Sequence, residues 1–156
     1  MSVLKARRGV SKAEFINTAN KIYTETLWFL SRLSARYSRL LAADTVHIAH
    51  EVIANAEKAN SMQPTDKVRF EERERYLLRA RAAVNALDIQ MKHIYDLLML
   101  NPEGAFDNKD KADAIKKLDK MAESLGCMID EENKMLSGVL KHDKEVFKKK
   151  NSGAFL

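Results

Sequence analysis

The side chains of this sequence best equipped for chemistry are its arginines and lysines, and the chemistry they suit is phosphate binding. Arg69, Arg73, Arg75, Arg79 and Arg81 crowd into residues 69–81, RFEERERYLLRAR. Each guanidinium is a permanent cation with a planar fork of donors that matches a phosphate. Further cations stand at Arg7, Arg8 and Lys12 near the start, at Arg36 and Arg39 around Tyr37, and at Lys148, Lys149 and Lys150 near the end. Spread over several segments, with no zinc finger or recognition-helix motif among them, such residues hold the backbone of RNA or DNA. They position a nucleic acid without reading its bases, so affinity should fall steeply with salt.

Other reactive groups do not assemble into a site. A di-metal centre in a helical bundle needs Glu-x-x-His pairs, and none occurs. His47 and His50 stand one turn apart beside Glu51, which gives two ligands at best. Cys127, in SLGCMIDEEN, would need a His and a basic pocket beside it to act as a nucleophile, and beside Gly126 it reads as a small residue at a helix contact. His93 and His142 read as exposed helix positions. There is no Gly-rich phosphate loop, nucleophile elbow or Walker lysine. The expectation is a protein that is not an enzyme and carries neither metal nor cofactor.

Composition narrows the setting. A chain of 156 residues with 46% hydrophobic content suits one domain with a proper core. Charged residues make up 31% of the chain, its mean hydropathy is −0.39, and no apolar run approaches eighteen residues, so no membrane span is expected. The opening MSVLKARRGV lacks the apolar stretch of a signal peptide. Cys127 is alone, so no intrachain disulfide can form. Both features agree with a cytoplasmic protein. The net charge of +5 and pI near 9.3 favour polyanions. That net value conceals segregation: residues 1–39 hold eight basic and two acidic side chains, whereas 103–140 hold six and nine.

These residues have to be positioned by helices. In the central stretch 69–100, Leu77, Ala80, Val84, Leu87, Met91, Ile94 and Leu98 recur every three or four residues without a Pro or Gly. That spacing makes one apolar stripe on a rod of roughly 48 Å. Only other long helices can cover it. Upstream, residues 1–10 read as a basic flexible arm, and Ser11 with Glu14 reads as a capping box. A first helix over about 12–34 follows, with its stripe at Phe15, Ala19, Ile22, Thr26, Phe29, Leu30 and Leu33. Trp28 lies off that stripe, placed to wedge against a neighbouring helix. After a polar break at SARYSRL, a second helix over about 39–61 shows Leu41, Thr45, Ile48, Val52, Ala56 and Ala59. Pro64 with Thr65 or Asp66 closes it and caps the long third helix.

Residues 101–110 read as the longest loop, opened by Asn101-Pro102-Glu103-Gly104. A fourth helix, capped by Asp107 or Asn108, then runs to about 142 with Ile115, Leu118, Ala122, Leu125, Ile129, Glu132, Leu136 and Val139 on its stripe. Glu132 interrupts that stripe and is expected at a seam or paired with an arginine. Residues 144–156 read as a basic flexible tail. Four amphipathic helices with short turns predict an all-α, antiparallel up-down-up-down four-helix bundle over 11–143. In that topology the arm, the start of the third helix and the tail gather at one pole.

The ordered pieces also carry a family resemblance. VLKARRGVSKAEFINTANKIYTETL, SARYSRLLAADTVHIAHEVIANAEKANSMQPTDK, RERYLLRARAAVNALDIQMKHIYDLL and MIDEENKMLSGVLKHDKEVFK together resemble the four-helix-bundle accessory proteins encoded beside reverse transcriptases. These are the accessory variability determinants (Avd) of diversity-generating retroelements, similar in turn to proteins encoded within 23S rRNA intervening sequences. The resemblance implies a barrel-like homo-oligomer, a pentamer, whose basic surface binds RNA or DNA and a reverse transcriptase. It implies a non-catalytic support for cDNA synthesis from a template RNA. Its binding positions map here onto Arg69, Arg73, Arg75 and Arg79, and onto Arg36 and Arg39. Cys127 and Met128 depart from the family pattern, which has a bulky aromatic after the Leu-Gly pair. Two other readings compete: a helical adaptor whose basic pole meets an acidic protein, and a membrane-surface protein using Val146, Phe147, Ala154, Phe155 and Leu156.

Overall fold

The computed structural model of the chain describes residues 13–107 and 110–153. They form α1 (Glu14–Ser31), α2 (Ala35–Ser61), α3 (Lys67–Met99), a single turn α4 (Pro102–Ala105) and α5 (Lys111–Gly153). The fold is all-α. Among the described residues the sole β-type contact is a bridge between Leu33 and Phe106. No helix among them is long and apolar enough to cross a membrane.

The long helices close a cycle, α1 on α2, α2 on α3, α3 on α5 and α5 on α1. All seven residues of the α3 stripe from Leu77 to Leu98 are buried, and so are all seven of the stripe from Phe15 to Leu33. At about 25 cal/mol per Å² of apolar surface removed from water, these stripes supply the main folding force. Buried hydroxyls are satisfied locally: Thr26 Oγ1 donates to Ile22 O and Thr45 Oγ1 to Leu41 O. Gln90 Nε2 then donates to Thr45 Oγ1 across the α2–α3 seam at 3.0 Å.

Several boundaries differ from the sequence reading, each for a packing reason. The break between the first two helices shrinks to Arg32, Leu33 and Ser34, and α2 starts at Ala35 with Tyr37 buried. The chain turns there because Ser34 N donates to Ala105 O at 3.0 Å and Ser34 Oγ to Gly104 O at 2.9 Å. The stretch read as the longest loop is therefore packed: Ala105 and Phe106 are buried, and Phe29 meets Phe106 edge-on at 6.2 Å. Asp66 caps α3 by accepting from Arg69 N at 2.9 Å. The α5 start is held by Asp110, whose Oδ1 accepts from Ala112 N, in place of Asp107; the alternative cap Asn108, like Ser11, lies outside the described residues.

The last boundary moves furthest. Instead of ending near 142, α5 continues to Gly153, so residues 144–153 are helical where a flexible tail was expected. Phe147 stacks on Phe70 with ring centroids 4.3 Å apart, and Lys144 pairs with Glu74 at 2.9 Å. Two aromatic faces and an ion pair tie this last segment of α5 to the start of α3. The arm 1–10 lies outside the described residues, as do residues 154–156.

Candidate nucleic-acid interface

Arg73, counted among the phosphate-binding residues from the sequence, is occupied elsewhere. Its Nε lies 2.6 Å from Asp143 Oδ2, and Nη1 donates to Ala59 O and Met62 O at 2.8 and 3.2 Å. Both side chains of the pair are nearly covered, at 13% and 11% exposure. One guanidinium thus closes the carbonyl end of α2 and ties α3 to α5. Open C-terminal carbonyls attract cations, and this geometry makes Arg73 a fastener of the fold and withdraws it from the free surface charge.

The other arginines of α3 stay outside but are partly neutralised. Arg69 bonds Thr65 Oγ1 at 3.0 Å and lies 3.6 Å from Asp66, while Arg75 lies 2.7 Å from Glu72. Lys67 is 3.8 Å from Glu71. Arg79 is exposed and sits 5.8 Å from the Tyr76 ring, which Lys58 approaches from 5.7 Å. Arg81 has its Nε buried with no partner. The basic face of α3 is thus a lattice of short-range pairs, with Arg79 an outward cation that has no ion-pair partner among the described residues.

Elsewhere the cations are freer. Arg36 and Arg39 are exposed on the first turns of α2, and Arg36 lies 5.8 Å over Tyr37. Lys148, Lys149 and Lys150 are all exposed on α5. Among the described residues none of these five has an ion-pair partner. At about 100° per residue the three lysines fan around the helix, so no single flat patch holds them all. Arg7, Arg8 and Lys12 lie outside the described residues.

Three features went unread in the sequence. Trp28, expected to wedge between helices, is 58% exposed with Arg32 5.3 Å over its ring. Lys116, Lys117 and Lys120 face it across a groove; their i, i+1, i+4 spacing on α5 was the available signal. Glu132 is neither at the rim nor paired with an arginine: it is fully buried, and neither carboxylate oxygen has a hydrogen-bond partner. Burial pushes its pKa up to about 8, with Glu131 adding repulsion. The carboxyl is therefore mostly neutral at pH 7.

His50 packs edge-on against Tyr23 at 6.1 Å, and His47 is exposed. Cys127 is exposed as a free thiol. No group of three or more potential metal ligands occurs among the described residues. No protein-family model, curated protein or solved structure matches the chain.

Proposed function

We propose that this chain is a cytoplasmic, non-catalytic accessory protein that binds RNA or DNA through backbone phosphates and partners a retroelement reverse transcriptase. On this reading α1, α2, α3 and α5 form an antiparallel up-down-up-down bundle. Its support is the descending pairing of α5 with α3: 143 with 73, 133 with 85, 119 with 95. The observation that carries the nucleic-acid reading is the set of exposed cations without acidic partners among the described residues, Arg36, Arg39, Arg79 and Lys148 to Lys150. Unpaired surface cations lose least on meeting a phosphate, because no internal ion pair must first break. The reverse transcriptase and the support of cDNA synthesis rest on the resemblance of the quoted segments.

Self-association draws on a different surface. Leu78 and Ile89 are exposed on α3 and Leu100 at its C-cap, spaced by eleven residues, which is three helical turns. Apolar residues aligned on the outer side of a core helix fit a second copy of the chain, and they also suit the adaptor reading. The deciding experiment is anisotropy of a labelled structured RNA between about 50 and 200 mM salt, with co-purification of a reverse transcriptase in parallel. A steep loss of affinity with salt is expected. Absence of binding at the low end, with a protein partner still captured, would leave the adaptor.

A further inference from the structure

Between the last turns of α1 and the first turns of α5 lies a groove of about 490 Å³, roughly 48 Å along α5 from Lys148. Trp28 and Arg32 form one wall, and Lys116, Lys117 and Lys120 the other. Glu25 and Asp113 also line it, and Lys117 is bonded to Asp113 at 3.0 Å. Arg32, Lys116 and Lys120 have no ion-pair partner among the described residues, so the groove keeps a positive excess. Its volume lies within the range of small-ligand sites. An indole left 58% exposed while a guanidinium lies 5.3 Å over it is a supported flat surface. Cations alone would take any polyanion; the indole adds a demand for a planar, partly apolar group. A duplex cannot meet that demand, since its bases are already stacked inside.

We infer that this groove is a subsite for single-stranded nucleic acid, in which one unstacked base lies on Trp28 and the flanking phosphates meet Arg32, Lys116 and Lys120. It rests on the nucleic-acid reading above and adds a place and a strandedness to it. Trp28 is the chain's sole tryptophan, so intrinsic fluorescence reports this groove and no other. The titrants are oligo(U) and oligo(dT) of about 15 nucleotides, a duplex of equal length and inorganic polyphosphate, with anisotropy of the labelled strands as a second readout.

Single strands should quench Trp28, and duplex and polyphosphate should not; a preference between oligo(U) and oligo(dT) identifies the natural ligand as RNA or DNA. By anisotropy, Trp28→Ala should weaken single-strand binding about tenfold and Trp28→Phe far less, since a ring remains. Lys116→Glu with Lys120→Glu should flatten the log–log salt slope by about 1.4. All these positions are at the surface, so unchanged melting curves should accompany the loss. Strands that bind without quenching, at an affinity Trp28→Ala leaves unaltered, would overturn the groove and leave the general reading standing. Quenching by duplex equal to that by single strands would overturn the strandedness. If no strand binds by either readout, both fail.

Discussion

Glu132 and Arg73 are both charged in the sequence, yet the structure gives them opposite environments. Glu132 has no hydrogen-bond partner among the described residues, so its carboxyl is held neutral by burial, with a pKa near 8 against an ordinary 4.5. The unfolded state therefore loses its proton first as pH rises. Stability is level below about pH 4.5, declines by up to about 1.4 kcal/mol per unit between 4.5 and 8, and levels off above. Glu132→Gln removes the ionisation while keeping the shape. The variant should match the parent near pH 4.5 and exceed it by on the order of 4 kcal/mol at pH 8 in urea unfolding. Identical pH profiles would mean the carboxylate finds a partner or water. Arg73, in contrast, is paired, and its charge holds the fold together. Arg73→Ala strands Asp143 and takes a donor away from the carbonyls of Ala59 and Met62, a loss of about 3 kcal/mol. Arg75→Glu, at an exposed pair, should shift stability by less than about 1 kcal/mol. Thermal unfolding of the two variants separates fastener from surface charge.

At the scale of elements, what the sequence revealed and what it hid follow from one distinction. Periodicity is local, so the seven-residue stripe of α3 and that of α1 could be read directly, and each of their positions is buried. Tyr37, the turn α4 and the length of α5 depend on partners far along the chain: Asn101 Nδ2 donates to Tyr37 Oη, Ser34 to Ala105 O, and Phe70 stacks on Phe147. A basic sequence such as KEVFKKK reads as a frayed end until the face receiving Phe147 is known. The same holds for the site: the cations were visible by type, but whether each was free or paired was not. Truncation after Asp143 measures this. It removes Phe147 and Lys144, uncovering Phe70, which is 8% exposed in the intact chain. A cost of about 2 kcal/mol is expected from one lost aromatic stack and its buried area; a melting temperature equal to that of the full chain would make the last turns of α5 dispensable.

For the whole molecule, the question is which surfaces remain to be covered once the core is closed. On α3 and its C-cap the buried stripe and the exposed apolar residues occupy opposite sides: taking about 100° per residue, Leu78, Ile89 and the cap residue Leu100 fall within about 40° of one another and roughly 170° from the centre of the stripe. Their exposures are 50%, 60% and 83%. A lone exposed leucine is unremarkable, but three in register on the longest span of the α2–α3 pair make a seam. Should that seam join copies of the chain, Leu78→Glu with Ile89→Glu puts like charges in contact across it. Neither side chain packs in the core, so helicity and melting of the single chain should persist while the molar mass by light scattering falls to that of a monomer. Nucleic-acid affinity should fall with it, because each copy then offers only its own few free cations where an assembly would offer several sets at once. A molar mass unchanged by the double substitution would place the contact between copies elsewhere, and a monomeric parent protein would remove the need for one.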